Sequence, residues 1–344
     1  MSRHERIALP RGLRALLVAN FWHTFAFIGL VTFVGDQVFG ITGRELDLGL
    51  IGLALFVPVF FLSPIGGPVV DRYDKRVVYG IGIAVQIAIA LAILLYVRSE
   101  PTRVWPFFAL ISLYGAARSF AAPASRTMPI DLATPASLDR VIALKAFVAQ
   151  TAIIAGPVTA GFAAVVSDEL PYLVSAVALA AAAISLLFVP KSKIDRLDTP
   201  AGVFQAFSDA IEGMRYIRSN RVVSAAILLD LFAVLLGGAT ALLPAIAEER
   251  LGVGEVGLGW LRAADGIGAA AMTLTLSAFV LKRRVGRLLL TGVGVFGVAT
   301  VVLGLTTNFV VAFGAIVVLS AADAISVYIR SSIVPLATPE NMRG

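Results

Sequence analysis

Residues 170–189 read LPYLVSAVALAAAAISLLFV, a stretch without a single charged side chain. As a helix it is about 30 Å long, which matches the hydrocarbon core of a bilayer. Similar stretches recur along the chain. Of its 344 residues 58% are apolar and only 15% are charged, a balance that a water-soluble core could not accommodate. The sequence therefore predicts a membrane protein.

Ten apolar segments are long enough to cross a membrane as helices and too long to be barrel strands, so the predicted fold class is all-α and polytopic. They span 14–38, 46–70, 77–97, 104–128, 140–166, 169–189, 222–247, 256–281, 286–306 and 309–335. Residues 1–190 are predicted to form a six-helix bundle and 222–344 a partial bundle of four. The linker 191–221 contains an amphipathic pattern, typical either of a helix on the inner membrane surface or of a soluble helix packed on protein.

The basic residues are distributed unevenly between the two sides of the predicted topology. With a cytoplasmic N-terminus, 22 of the 28 lysines and arginines fall on the inner side. This bias predicts the orientation, with the N-terminus in the cytoplasm. It also accounts for the net charge of +6 without nucleic acid as a partner.

Composition disfavours several chemistries. The chain has no cysteine and two histidines, His4 and His23, so we expect no metal site and no thiol nucleophile. Its two G-x-G-x-x-G matches do not follow strands, and no phosphate-binding G-x-x-x-x-G-K-[ST] occurs. We therefore expect no cofactor and no enzyme activity. A membrane-embedded enzyme is the weaker alternative, because no cluster of acids or histidines has catalytic spacing.

A short repeat relates the two halves. Leu-Ala-Thr-Pro at 132–135 recurs at 336–339, and Arg126 corresponds to Arg330 at the same offset of 204 residues. Repeated halves are typical of alternating-access transporters. Two complete copies would exceed the chain by about two helices. We therefore expect an incomplete C-terminal bundle, and a truncated fragment that does not transport is an alternative function.

The loop after the second segment reads GGPVVDRYDKR, residues 66–76. Glycine lets helices approach closely, an aspartate at a helix end accepts backbone N–H groups, and basic side chains bind anionic lipid. A basic loop that only sets topology is the alternative. The pattern resembles the signature of major facilitator transporters, where glycine is usual in place of Asp74. The resemblance implies that the aspartate latches an inner gate against helix eleven, and its gating residues are Gly67, Asp71, Arg72, Lys75 and Arg76.

A second motif lies in the fifth segment, where Gly156 and Pro157 are followed by Gly161. Proline removes a backbone hydrogen bond and glycine thins the helix surface, so bending and close packing are expected. The pattern is similar to the motif of facilitator antiporters, which implies closure of the path against leak; ordinary packing of small residues is the alternative. The chain also looks like the drug:proton antiporter branch with macrolide-efflux and enterobactin-exporter proteins. That resemblance implies a monomer that exports an amphipathic small molecule, with protons as partners, by alternating access.

Ionisable groups at bilayer depth usually face a cavity or a partner. In the facilitator fold that the motifs resemble, Arg118, Asp230 and Asp323 would lie on cavity-lining helices, and they are the candidates for substrate or proton coupling. Arg262 and Asp265 are three residues apart on one helix and are predicted to form a structural ion pair. His23 is predicted to be a hydrogen-bonded packing residue, with a proton relay as the alternative.

Overall fold

The computed structural model describes residues 11–190, 239–278 and 285–337, with isolated positions between 190 and 239. These parts of the chain are helical and contain no strand. Three short helical turns occupy Ala239–Leu242, Leu243–Ala245 and Ile246–Leu251. The long helices are α1 Arg11–Thr42, α2 Glu45–Arg72, α3 Lys75–Val97, α4 Trp105–Asp131, α5 Leu138–Ala164, α6 Leu170–Leu187, α7 Gly254–Ala278, α8 Val285–Leu305 and α9 Phe309–Ala337.

Most predicted segments correspond to these helices. All of the long helices except α7 are apolar enough to cross a membrane. In α7, Glu255, Arg262 and Asp265 lower the mean hydropathy, although the helix covers the predicted segment 256–281. The segment 222–247 is described continuously only from residue 239, and the linker 191–221 lies almost entirely outside the described residues. The prediction of an all-α polytopic fold is confirmed.

The surface of the molecule is apolar where a soluble protein would be polar. Phe61, Leu95 and Val177 are each more than 60% exposed, on three different helices. Apolar surface of this extent is stable in lipid and unfavourable in water. The exposed side chains therefore mark the faces that contact the bilayer.

Short connections turn the chain back between helices. Gly43 follows α1 with a φ of +59°, a backbone conformation that glycine adopts without steric cost. Its N–H donates to the carbonyl oxygen of Phe39 at 2.7 Å, which closes the last turn of α1. Glu45 and Asp47 in the first turn of α2 complement the positive end of that helix.

The first six helices pack around α1. This helix contacts α5 and α6, while α4 contacts α2 and α3, and α3 also contacts α6. At two points α2 and α4 lie so close together that a side chain would not fit between them. A Cβ atom on Gly66 would overlap the carbonyl oxygen of Ser119, and one on Gly115 would lie 2.5 Å from the carbonyl oxygen of Leu55.

Most lysines and arginines of this bundle lie at one end, which we call the basic end; it is defined by Lys75, Arg76 and Arg126. Lys75 Nζ lies 2.7 Å from the Asp131 carboxylate, which links the start of α3 to the end of α4. Arg76 donates to the carbonyl oxygen of Val189 at 2.8 Å and to that of Leu187 at 3.0 Å. These bonds tie α3 to the last carbonyls of α6.

The remaining described helices form a second group, in which α9 packs on both α7 and α8. The two groups are joined mainly through α5 and α7, which run antiparallel. A further contact lies opposite the basic end, where Phe39, Leu48 and Ala245 form a small apolar cluster. This cluster ties α1 and α2 to the short helical stretch that precedes α7.

The joining contacts of α5 and α7 lie away from the basic end. They involve Ile154 with Gly266 and Pro157 with Gly259. On the same stripe of α5, two turns closer to the basic end, Phe147 is 68% exposed. The close contacts of α5 with α7 thus end short of the basic end, and the space between the two helix groups at that end is called the cleft.

Candidate transport site and gating motifs

Arg118 lies near the middle of α4, and its side chain is half-buried. The guanidinium carbon lies 3.6 Å from the ring centroid of Phe27 on α1, which is a cation–π contact. The Phe27 ring in turn stacks on Tyr114 at 5.9 Å with 23° between the ring planes. Arg118 is thus held by aromatic faces from α1 and from its own helix.

A hydrogen-bonded polar cluster continues behind Arg118 into the first bundle. Tyr79 donates its hydroxyl to Asn20 Oδ1 at 3.0 Å, and Asn20 Nδ2 donates to the Ser125 carbonyl oxygen at 3.3 Å. His23 Nε2 lies 2.8 Å from Gln86 Oε1, in agreement with the prediction of a hydrogen-bonded packing residue. The cluster connects α1, α3 and α4 below the cleft surface.

Sequence reasoning missed Gln86 and Tyr79, which belong to this cluster, and Tyr114, which stacks on Phe27. All three are completely buried. The available signal was a single polar residue, Gln86, in the otherwise apolar run of α3. Tyrosines gave no signal, because their rings are common in any apolar core.

On the α7 side, Asp265 acts electrostatically on Arg262, and the predicted ion pair of these two residues stays a prediction. The Asp265 carboxylate also accepts a hydrogen bond from the buried hydroxyl of Ser320 on α9. Among the described residues, Arg262 Nε is buried without a hydrogen-bond partner. The neighbouring helix thus supplies the acid with a hydrogen-bond donor.

The structure describes only one of the other two candidates for coupling. Asp323 is half-buried on α9, the helix that carries Ser320. Asp230 lies outside the described residues. The structure therefore places Arg118 and Asp323 half-buried on two different helices, α4 and α9, and leaves Asp230 undescribed.

The gating residues have different surroundings. Asp71 and Arg72 in the last turn of α2 are exposed, whereas Lys75 is buried against Asp131. A Cβ atom on Gly67 would meet nothing within 4 Å, so the close helix approach belongs to its neighbour Gly66. The motif thus combines a contact within the first bundle with two exposed charges at the basic end.

Asp74 explains locally why this chain departs from the usual glycine of the signature. It is the N-cap of α3, and its carboxylate accepts the backbone N–H of Arg76 at 2.9 Å. Aspartate is among the best N-cap residues because it satisfies one of the free N–H groups of the first turn. The substitution therefore provides a cap for the helix.

The glycines of the antiporter-like motif face two different neighbours. A Cβ atom on Gly156 would lie 2.5 Å from the carbonyl oxygen of Phe25 on α1. On Gly161 it would lie 2.6 Å from the carbonyl oxygen of Glu255 on α7. The buried Pro157 offers its own carbonyl oxygen to the surface of Gly259 on α7. The motif therefore packs α5 against both groups of helices at once.

Comparisons with known proteins identify the family. A family model described as the Major Facilitator Superfamily matches residues 15–344. The chain belongs to the Major Facilitator Superfamily. Within this superfamily, the uncharacterized MFS-type transporter YfiS of Bacillus subtilis (strain 168) is 25% identical over 307 residues, which cover 87% of this chain and 69% of YfiS.

Solved structures share the superfamily fold. A bacterial homolog of the human lysosomal transporter Spinster, in an inward-facing and unoccupied conformation, has a TM-score of 0.70 at 14% identity, with 98% of this chain and 78% of that chain covered. The nucleoside transporter NupG has a TM-score of 0.68 at 13% identity, with 96% and 84% covered. The chain is therefore a multi-pass membrane protein of the secondary-transporter type.

Proposed function

We propose that this major facilitator protein exports an amphipathic small molecule in exchange for protons by alternating access. The observation that carries the proposal is a half-buried arginine, Arg118, at mid-length of α4 in a molecule whose two helix groups are joined away from the basic end. We take Arg118 as the cationic wall of the cleft between them. Family membership supports the transport class. The motif of Gly156, Pro157 and Gly161 supports the antiporter branch of drug, macrolide and siderophore exporters.

The proposed orientation places the basic end in the cytoplasm of a bacterial cell, with the protein in the inner membrane. The excess of lysine and arginine at that end supports it. The cleft then opens inward, and the Spinster homolog of similar fold was likewise solved in an inward-facing conformation. Substrate would enter from the cytoplasm and leave after the groups rock about the α5–α7 contact.

Arg118, Asp230 and Asp323 are the proposed coupling residues. A carboxylate shielded from water by lipid and protein gains or loses its proton more readily near neutral pH than an exposed one. Gly67, Asp71, Arg72, Lys75 and Arg76 are the proposed gating residues at the inner end. The Gly156–Gly161 region is proposed to seal the outer end, where its close contacts leave no room for water.

Flux into proteoliposomes tests the proposal. Purified protein is reconstituted, the lumen is made acidic, and uptake of a radiolabelled macrolide and of a catecholate siderophore is followed with and without a protonophore. We expect accumulation of at least one probe that the protonophore abolishes. Accumulation that survives the protonophore would reject proton coupling, and uptake of neither probe would reject the proposed substrate class.

Variants then test the residues. Asp323→Asn and Arg118→Ala are expected to lose coupled flux by at least tenfold, because each removes a charge on which coupling depends. Arg98→Ala, in the exposed turn after α3, is the matched control and is expected to retain flux. Unchanged flux in both cleft variants would remove these residues from the mechanism.

A further inference from the structure

Arg118 lacks a counter-ion in the part of the chain that the structure describes. Its electrostatic neighbours there are Tyr114, Tyr79, Arg126 and His23. No carboxylate is among them, and the one contact of the guanidinium is with the face of Phe27. A guanidinium at bilayer depth is costly unless an anion compensates its charge. The positive charge of Arg118 therefore still needs an anion.

Two neutral donors in this region also lack hydrogen-bond partners within the described helices. The Tyr114 hydroxyl and the Gln86 amide nitrogen are buried and have no hydrogen-bond partner in the described chain. Tyr114 stacks on the same Phe27 ring that lies beneath the guanidinium. Buried polar atoms without a partner are rare and often indicate a missing ligand or water.

Positive charge continues from Arg118 toward the basic end. Arg126 lies two turns farther along α4 and is exposed, and its carbonyl oxygen accepts a hydrogen bond from Lys145 Nζ at 2.8 Å. Three cations thus follow one another along this wall. A wall of one sign attracts ions of the opposite sign into a cleft and repels those of its own.

We propose that the substrate is an amphipathic organic anion, whose carboxylate or similar group binds Arg118 and whose apolar body lies against Phe27. The proposal rests on the proposed transport function and specifies its substrate class. A guanidinium offers two parallel N–H donors to a carboxylate, and the Phe27 contact already fixes its plane. The Tyr114 hydroxyl is the expected additional donor.

Three probes with one ring system separate charge from apolar binding: 2-naphthoate, 2-naphthamide and 2-naphthyltrimethylammonium. Binding to the full chain in nanodiscs is measured by calorimetry, with protein-free nanodiscs as the blank. We expect 2-naphthoate to bind at least tenfold more tightly than the amide, and the cation to bind most weakly. Equal binding of anion and amide, tighter binding of the cation, or no binding of 2-naphthoate would overturn the proposal.

Variants test whether Arg118 causes the preference for the anion. Arg118→Gln is expected to weaken 2-naphthoate binding at least tenfold and to leave 2-naphthamide unchanged, whereas Arg118→Lys retains part of the preference and Tyr114→Phe loses a few fold. Arg98→Gln is the control for a lost surface charge. An unchanged ratio of anion to amide affinity in Arg118→Gln would overturn the assignment, and the amide serves as a check that the variant is folded.

The outcome is distinguishable from failure of the transport proposal. Proton-driven flux of a cationic or neutral probe, without preference for the anion, would leave the transport function in place and reject the anionic substrate class. Selective binding of 2-naphthoate without any proton-dependent flux would support the anionic ligand class and reject the transport function. The two experiments therefore report on separate claims.

Discussion

At the residue scale, Asp74 shows how one substitution in a motif acquires a local role. The signature that the α2–α3 loop resembles usually has glycine there, and the structure assigns Asp74 to the N-cap of α3. The same loop contains Lys75, whose ion pair with Asp131 joins two helices. Adjacent residues of one motif thus stabilise different contacts.

The N-cap role of Asp74 predicts that two substitutions at this position lower the free energy of unfolding by different amounts. Asp74→Ala is expected to lower the free energy of unfolding by about 1 kcal/mol, whereas Asp74→Gly costs only a few tenths, because glycine leaves the N–H groups of the first turn open to water. Thermal unfolding in detergent measures both. Asp168→Ala, at an exposed loop carboxylate, is the control. Equal midpoints for Asp74→Ala and Asp168→Ala would contradict the capping role.

At the element scale, α5 is packed on two sides. Gly156 faces α1 within the first bundle, and Gly161 faces α7 of the second group. The helix is therefore both a core element of one group and the main contact of the other. Small residues permit this double contact, because backbone atoms replace side chains at both surfaces.

The packing predicts opposite effects for two Gly→Ala substitutions. Gly156→Ala places a methyl group against the Phe25 carbonyl, and overpacking of this kind costs about 1–3 kcal/mol. This exceeds the roughly 1 kcal/mol that alanine gains over glycine in a helix. Gly67→Ala meets nothing within 4 Å and is expected to keep or raise the thermal midpoint. A midpoint for Gly156→Ala at or above that of the wild type would refute the close contact.

At the scale of the whole molecule, the two helix groups touch away from the basic end and diverge toward it. A Cβ atom on Gly266 would lie 2.7 Å from Ile154 Cγ1, which brings α5 and α7 together at this level. Gln150 also donates a hydrogen bond to the Gly266 carbonyl oxygen. Alternating access by rocking requires these contacts to separate.

The absence of cysteine in the chain makes disulfide trapping direct. Ile154→Cys with Gly266→Cys is expected to cross-link readily on mild oxidation, which would hold the contact closed and stop flux until a reductant is added. Phe147→Cys with Thr273→Cys, two turns nearer the basic end on both helices, is the control and is expected to cross-link much less. Gel mobility after oxidation gives the yields. Equal yields for both pairs would contradict the open cleft.

The sequence predicted the described helices and the medium that surrounds them. Apolar length alone fixes a membrane helix, since the backbone must satisfy its own hydrogen bonds in lipid. Arg118 was singled out as a candidate for coupling, because an ionisable residue in an apolar run is conspicuous, and that role stays a prediction. The contact of Arg118 with Phe27 was not predicted, since Phe27 lies far from Arg118 in sequence and resembles any other apolar residue of α1.

The sequence by itself determined the all-helical membrane fold and the loop that resembles the superfamily signature, because both depend on residues close together in the chain. Tertiary structure alone decided which partners the polar residues take. Asp265 accepts a hydrogen bond from Ser320 of another helix, and Gly161 contacts α7. Such choices depend on which helix faces lie together, and that is set by packing over the whole molecule.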